Sequence, residues 1–164
     1  MSDLSHYRPD GAAHMVDVGS KDVTRREATA TGVLRTRADV VERIASGDLP
    51  KGEAIATARI AGIMGAKRTP DLVPLCHPLP LSGVDLDVVP AGDRVEISAT
   101  VRTTGRTGVE MEALTAVTVA GLTLYDMIKA VDRAAVLTDV QVVAKSGGKS
   151  GEWARHEQEQ EQDA

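Results

Sequence analysis

The amino-acid sequence predicts an α+β fold, in which helices pack on one face of an antiparallel sheet. The strongest observation is a pair of alternating apolar and polar segments, 83–89 and 94–102, joined by the turn Pro-Ala-Gly-Asp. This pattern is typical of a β-hairpin. Two further strand-like segments and three helical segments surround it, in the order strand, helix, helix, strand, strand, helix, strand. Setting aside one of the two consecutive helices leaves βαββαβ, the ferredoxin-like arrangement with an additional helix.

The first half of the chain supplies one strand and two helices. Residues 28–36 alternate and are rich in β-branched side chains, which predicts a strand. Residues 38–47 place apolar side chains at helical spacing, and Gly47 is a suitable helix end. Residues 53–68 predict a second helix, whose many small residues imply close packing. Pro70 then interrupts the helical pattern.

The second half supplies the hairpin, a long helix and a last strand. Residues 109–131 are largely apolar and predict the long helix, and residues 136–143 predict the strand. We assign residues 15–151 to one domain, because this length is ordinary for a single core. Residues 1–14 and 152–164 are polar and predict solvated tails.

Composition excludes several function classes. A net charge of −5 and an aromatic content of 2% argue against nucleic-acid binding, which uses basic surfaces and stacking side chains. A single cysteine forms no intramolecular disulfide and favours a reducing compartment, so we expect a cytoplasmic protein. We find no signal peptide and no run near the ~18 apolar residues of a membrane span.

Cys76 and His77 stand side by side in DLVPLCHPLPL, residues 71–81, with three prolines around them. Three interpretations are open: a catalytic dyad, part of a metal site, or a buried thiol and a positioned imidazole in a stiff segment. The other histidines lie in or next to the predicted tails, so no metal site is expected. Packing in a stiff segment is the favoured interpretation.

Asp126 and Lys129 lie three residues apart on one face of the long helix. A surface ion pair is the ordinary interpretation. The apolar neighbours of the pair instead predict partial burial. Burial lowers the pKa of a lysine toward neutrality and suits it to acid–base chemistry, whereas an adjacent carboxylate opposes that shift and orients the ammonium.

Glu110 and Glu112 open the long helix. Thr107 and Glu110 match the spacing of a capping box, which is a structural explanation for Glu110. At ~100° per residue the two glutamates point about 200° apart, so a regular helix does not direct both into one pocket.

Two lysine-bearing segments are candidate anion sites on an otherwise acidic chain. Lys51 precedes a helix whose first N–H groups are free to bind an anion. KSGGKSG places Lys145 and Lys149 around two glycines, whose backbone is able to turn its N–H groups toward a phosphate. A P-loop is rejected, because Val143 stands where that motif requires glycine.

Four segments together resemble the cyclic pyranopterin monophosphate synthase family, the molybdenum cofactor biosynthesis protein C. The segments are residues 15–32, 51–81, 107–133 and 145–151. The resemblance implies a lyase that converts 3′,8-cyclised dihydro-GTP into cyclic pyranopterin monophosphate and diphosphate. It implies that no metal or redox cofactor is required. It also implies a homohexamer, a trimer of dimers, with active sites at subunit interfaces.

The resemblance also implies which residues act. The catalytic residues are Asp126, Lys129 and Lys51. The substrate-binding residues are Leu75, Cys76, His77, Glu110 and Met111. Further pocket residues are Asp17, Arg26, Glu112, Lys145 and Lys149.

The implied chemistry is proton transfer and charge stabilisation rather than electron transfer. We expect Lys51 and Lys129 to move protons, with Asp126 setting the position or charge of Lys129. Lys145 and Arg26 hold phosphate oxygens in this scheme, and His77 and Glu110 contact the ring or ribose.

Two other function classes stay open at this point. One is a non-catalytic ferredoxin-like nucleotide-sensing module, and the other is a structural oligomerisation domain. Turnover of the cyclised nucleotide distinguishes an enzyme from a sensor. A thermal shift on nucleotide binding distinguishes both from a structural domain.

Overall fold

The computed structural model describes residues 11–155 of the chain. The strands are β1 (Thr24–Arg35), β2 (Leu81–Ala91), β3 (Arg94–Gly105), β4 (Val136–Ser146) and β5 (Trp153–Ala154). The helices are α1 (Ala38–Ser46), α2 (Ala54–Lys67), α3 (Thr69–Leu72) and α4 (Glu110–Ile128). Most of both predicted tails lies outside the described residues, so the division into one domain and two tails stays a prediction.

The five strands form one antiparallel sheet in the order β2-β3-β1-β4-β5. The predicted α+β fold with a ferredoxin-like element order is confirmed, and the extra helix of the prediction is one of the consecutive pair α1 and α2. β5 was not predicted. It is only two residues long and pairs Trp153 with Lys145 at the edge of the sheet.

The helices cover one face of the sheet because alternate strand residues are apolar. Leu34, Ile97 and Val101 are fully buried on that face. The opposite face is polar: Thr29 and Thr100 share a hydrogen bond of 2.9 Å. The core therefore lies between the sheet and the two longer helices, α2 and α4.

Close packing of α2 against α4 depends on glycine, as the small-residue pattern predicts. A Cβ added at Gly62 would lie 2.8 Å from the carbonyl oxygen of Ala116, and one at Gly65 would lie 2.8 Å from Val119. The two helices approach closely only because these side chains are missing, and this packing holds α4 across the sheet.

The expectation that no segment is long and apolar enough to span a membrane is wrong for α4, which meets that test by length and composition. Residues such as Val117, Leu124 and Ile128 belong to the hydrophobic core that α4 shares with the sheet. Its apolar composition is therefore accounted for by burial inside the domain, as in other central helices.

The helix boundaries differ from the prediction at two places. α4 ends at Ile128 rather than at residue 131, because Asp132 turns back to accept hydrogen bonds from the Thr36 hydroxyl (2.7 Å) and the Ala134 N–H (2.9 Å). Pro70 does end the preceding helix, but it also occupies the first turn of the short helix α3.

Candidate active site

All predicted site residues except Asp17 lie in two groups at opposite ends of α4. Glu110 opens the helix, and Asp126 lies 16 residues further on. At a rise of ~1.5 Å per residue, about 24 Å of helix separates them. The two groups therefore do not meet within one chain.

At the C-terminal end of α4, the Asp126 carboxylate lies between two ammonium groups. Lys129 Nζ is 2.7 Å from one carboxylate oxygen, and Lys51 Nζ is 2.6 Å from the other. Lys51 Nζ also donates a hydrogen bond of 3.0 Å to the backbone carbonyl of Asp126. This triad joins the end of α4 to the loop between α1 and α2.

The triad is exposed, so the expectation of a partly buried ion pair is wrong. The side chains of Asp126 and Lys129 are each 52% exposed. Lys129 and Lys51 together lower the pKa of Asp126 to about 2. Asp126 in turn raises the pKa of Lys129, so the lysine is held as an ammonium rather than shifted toward neutrality.

The frame around the triad is more buried than the triad itself. Asp132 and Thr36 are 8% and 9% exposed, and their hydrogen bond ties the segment after α4 to the end of β1. The Tyr125 hydroxyl also donates to the carbonyl of Arg133 at 3.1 Å. These contacts fix the backbone that carries Lys129.

The expected anion site at the start of α2 is not available. The Glu53 carboxylate accepts hydrogen bonds from the N–H groups of Ile55 (3.1 Å) and Ala56 (2.6 Å). These are among the N–H groups that an anion near Lys51 would use. Lys51 bonds to Asp126 instead.

At the N-terminal end of α4 the structure holds a basic cavity of about 890 Å³. We call it the large cavity. Its lining includes Lys21, Arg26, Arg106, Lys145, Lys149 and Glu110. The lining also includes the carboxylates of Asp22 and Glu27, so five cations face three carboxylates. The cavity is therefore net positive on a chain whose net charge is −5, and an anionic ligand is favoured there.

Arg26 is fixed by hydrogen bonds to two consecutive backbone carbonyls. Its Nε donates to the carbonyl of Gly105 at 3.0 Å, and its Nη2 donates to the carbonyl of Arg106 at 3.3 Å. Gly148 has a φ of +73°, and a Cβ at this position would overlap the Arg26 guanidinium. Glycine therefore lets the loop of KSGGKSG lie directly against Arg26.

Glu110 pairs with Lys145 rather than capping α4. Its carboxylate lies 3.1 Å from Lys145 Nζ. The N-cap residue is Val109, and no side chain caps this helix end within the described residues. The capping-box explanation of Glu110 is therefore wrong, because its carboxylate forms an ion pair with Lys145 of β4 instead.

A second, smaller cavity of about 210 Å³ lies beside the first. We call it the small cavity. Its lining includes Leu75, Cys76, His77, Glu110, Met111 and Glu112. The expectation that the two glutamates do not face one pocket is corrected. The small cavity borders the first turn of α4, and both Glu110 and Glu112 line it although they lie on different sides of the helix.

Glu112 is 3% exposed. Burial, with a smaller contribution from the negative charge of Glu110, raises the pKa of Glu112 to about 7. Burial and the nearby Glu112 also raise the pKa of the Cys76 thiol. A thiol with a raised pKa is a poor nucleophile, so the structure favours a packing role for Cys76.

Asp17 lines neither of these two cavities. Its carboxylate accepts a hydrogen bond of 2.7 Å from the N–H of Gly19 and shapes the turn before β1. That turn carries Lys21, which lines both cavities and which the sequence interpretation missed. The available signal was its place in segment 15–32, one of the four segments that carry the family resemblance.

Comparisons with known proteins agree over nearly the whole chain. The MoaC family model matches residues 15–148. A cyclic pyranopterin monophosphate synthase of Corynebacterium efficiens is 61% identical over 94% of this chain and 99% of its own length. A protein of the same name from Streptomyces coelicolor is 65% identical over 93% of this chain and 89% of its own length.

A relative from Mycobacterium tuberculosis, named cyclic pyranopterin monophosphate synthase 2, is 61% identical over 93% of this chain and 92% of its own length. The residues that the family model matches, 15–148, include both ends of α4 and most of the loops that line both cavities. The chain belongs to the MoaC family.

Proposed function

We propose that this protein is a cyclic pyranopterin monophosphate synthase, a lyase of molybdenum cofactor biosynthesis. It converts 3′,8-cyclised dihydro-GTP into cyclic pyranopterin monophosphate and diphosphate. The observation that carries the proposal is the identity of 61–65% to synthases over 93–94% of the chain. The basic cavity at the start of α4 agrees with a triphosphate substrate.

The triphosphate binds in the large cavity. Arg26, Lys145 and Lys149 line it, and Arg26 is fixed by two backbone carbonyls before any ligand arrives. A cation fixed in advance loses less side-chain freedom when it binds phosphate oxygens. The glycine loop adds backbone N–H groups next to these cations.

The ring system binds in the small cavity. Leu75 and Met111 supply apolar surface, and His77 and Glu110 supply hydrogen-bonding groups. A purine-derived ring carries N–H donors along its edge, and carboxylates are suitable acceptors for them. Glu112, with a pKa of about 7, is able to bind such a ring in either its neutral or its charged form.

The exposed triad supplies acid–base catalysis. Lys129 is an ammonium at neutral pH, and Asp126 raises its pKa further, so it is present in the form that donates a proton. Asp126 holds both ammonium groups within 2.7 Å and so fixes the direction in which each can donate. Lys51 is the second group that moves protons.

The active site is completed by a second copy of the chain. The triad and the cavities are separated by about 24 Å of α4, so a single chain does not present both to one substrate. A partner copy that brings its triad to the cavities of the first copy solves this geometry. This geometry calls for at least two copies, and a homohexamer, built as a trimer of dimers, is the assembly that the family resemblance implies.

Subunit complementation tests both the activity and the assembly. Lys129→Met removes the donor at one end of α4, and Lys145→Met removes a cation at the other end. Each variant alone is expected to lose product formation from cyclised dihydro-GTP. Randomly mixed oligomers regain about one quarter of wild-type activity, because one pairing in four combines two intact ends.

Two results would contradict this proposal in different ways. Wild-type protein that binds the cyclised nucleotide without forming product would instead be the non-catalytic nucleotide-sensing module. Active wild-type protein whose mixed oligomers stay inactive would locate the whole site within one chain. The cytoplasmic location and the absence of a metal or redox cofactor stay predictions.

A further inference from the structure

The large and small cavities share a border at the start of α4. Lys21, Thr107, Gly108 and Glu110 line both of them. Lys21 is the one lysine or arginine among the described lining residues that borders both cavities. A ligand that extends from one cavity into the other therefore passes beside its ammonium group.

The other cations of the large cavity differ from Lys21 in their partners. Lys145 pairs with Glu110, Arg26 donates to two backbone carbonyls, and Arg106 donates to the carbonyl of Gly19. Within residues 11–155, the ammonium groups of Lys21 and Lys149 have no hydrogen-bond or ion-pair partner. These two lysines are free to bind a ligand without first breaking a contact.

The backbone under Lys21 is nevertheless held in place. The Lys21 N–H donates to the carbonyl of Val18 at 3.0 Å, which closes a turn. The Asp17 carboxylate accepts from the Gly19 N–H at 2.7 Å, and Arg106 donates to the Gly19 carbonyl at 2.5 Å. Lys21 is thus a free cation on a fixed turn, which is a suitable arrangement for binding an anion.

The next step rests on the proposed function. With the ring in the small cavity and the outer phosphates in the large cavity, the α-phosphate lies at the shared border. We propose that Lys21 binds the α-phosphate and is a further catalytic residue for the closure of the cyclic phosphate. Lys149, which lines only the large cavity, binds the outer phosphates.

The reaction places the largest change of charge at this phosphate. A substrate hydroxyl oxygen forms a bond to the α-phosphorus, and its proton passes to water. The bond from the α-phosphorus to the oxygen bridging to the β-phosphate breaks, and diphosphate leaves with that electron pair. An ammonium on the α-phosphate oxygens stabilises the negative charge of this transition state more than it stabilises the bound substrate.

The test compares Lys21→Met with Lys149→Met in the full-length protein, using cyclised dihydro-GTP as substrate. Lys21→Met is expected to lower kcat about 100-fold, the effect of losing one donor at a developing charge. Lys149→Met is expected to act mainly by raising KM. Lys21→Arg restores at least part of kcat because it restores the charge. Arg94→Met, at the other end of β3 and about 36 Å away at ~3.3 Å per residue, keeps wild-type activity.

Inhibition by GMP, which carries only the α-phosphate, is the second measurement. Lys21→Met should weaken GMP inhibition about tenfold, and Lys149→Met should leave it within twofold. If Lys21→Met fails to fold, Lys21→Gln carries the same expectations.

Three results overturn the assignment of Lys21: a wild-type kcat in Lys21→Met, equal effects of both lysines on GMP, or an active wild-type enzyme that GMP does not inhibit. Wild-type protein with no turnover at all would overturn the proposed function itself. The two failures are therefore distinguishable.

Discussion

The two ends of α4 place carboxylates of one helix in opposite electrostatic environments. Near the N-terminal end, Glu112 is almost fully buried beside the small cavity, and its pKa is raised to about 7. At the C-terminal end, Asp126 is half exposed between two ammonium groups, and its pKa is lowered to about 2. The surroundings shift the two pKa values in opposite directions, so only Glu112 takes up a proton near neutral pH.

The comparison separates two kinds of chemistry. The N-terminal end offers two cavities, an arginine held by backbone carbonyls and a carboxyl group whose pKa lies near neutral pH, which suits it to binding. The C-terminal end offers the exposed triad of Lys51, Asp126 and Lys129, held by buried contacts beneath it. This exposure suits the triad to a substrate that another copy of the chain binds. Substitutions at one end of α4, compared with substitutions at the other, test this difference.

The largest effect is expected at the triad. Lys51→Met and Lys129→Met each lower product formation by roughly 10²–10⁴-fold, the contribution typical of one positioned proton-transfer group. Both side chains are exposed, so the melting temperatures stay within about 2 °C of the wild type. Steady-state kinetics and thermal unfolding measure the two quantities. An active Lys129→Met protein would remove the triad from the mechanism.

The next largest effect is on stability, at the N-terminal end. Glu112 has a folded-state pKa of about 7, above its ordinary value of 4.5, so the folded state holds the proton more strongly than the unfolded chain does. Its contribution to stability is complete below about pH 4.5 and is lost as the pH rises through 7. Wild-type protein should therefore lose roughly 3 kcal/mol, relative to Glu112→Gln, between pH 4.5 and pH 8.

Asp126→Asn is the matched control for this change. The pKa of Asp126 is about 2, so the carboxylate stays charged throughout that pH range, and the stability difference from wild type should not depend on pH there. Denaturant unfolding at several pH values measures both differences. Parallel curves for Glu112→Gln and wild type would show that Glu112 is not held in a low-dielectric site.

A smaller loss of stability is expected from Asp132, whose hydrogen bonds hold the backbone that follows the triad. Asp132→Ala leaves the buried Thr36 hydroxyl without its acceptor and should lower the melting temperature by roughly 5 °C. Asp87→Ala, on the exposed face of β2, should leave it unchanged. The loss should be accompanied by a lower kcat, because Lys129 lies on the segment that Asp132 holds. Asp132→Asn, which keeps an acceptor for Thr36, should recover most of both.

The smallest effect is expected at Cys76. Its thiol has a raised pKa and faces the buried Glu112, so it is neither a thiolate nor placed to become one at neutral pH. Cys76→Ser should keep kcat within about fivefold of wild type, whereas variants of the triad do not. Slow alkylation of Cys76 at pH 8, compared with a free thiol, is the independent check. A Cys76→Ser protein as inactive as Lys129→Met would give the thiol a chemical role.

Some features were predictable because their physical causes are local. The alternation of 83–89 and 94–102 sets the hairpin, since a strand with one buried face needs an apolar residue at every second position. The small residues of 53–68 anticipate the close approach of α2 to α4. Asp126 and Lys129 are neighbours on any helix, so their contact also follows from sequence spacing.

Other features were not predictable because distant segments cause them. Glu110 matches a capping box by spacing, yet Lys145 lies 35 positions away and takes the carboxylate. The apolar neighbours of Asp126 suggested burial. Leu124 and Ile128 are indeed buried in the core, but Asp126 lies on another side of the helix and its carboxylate is exposed. Lys51 joins Asp126 across 75 positions, and no local pattern encodes that contact.

The sequence by itself determined the α+β class, the order of the elements, the family and the types of residue available for chemistry. These depend on periodicity and on local residue order, which one chain carries without any tertiary contact. Only the tertiary structure decided which groups share a site. The tertiary structure also sets the pKa values of Glu112 and Asp126. Glu112 is buried, and Asp126 has an ammonium group on each side, only because distant segments of the chain meet.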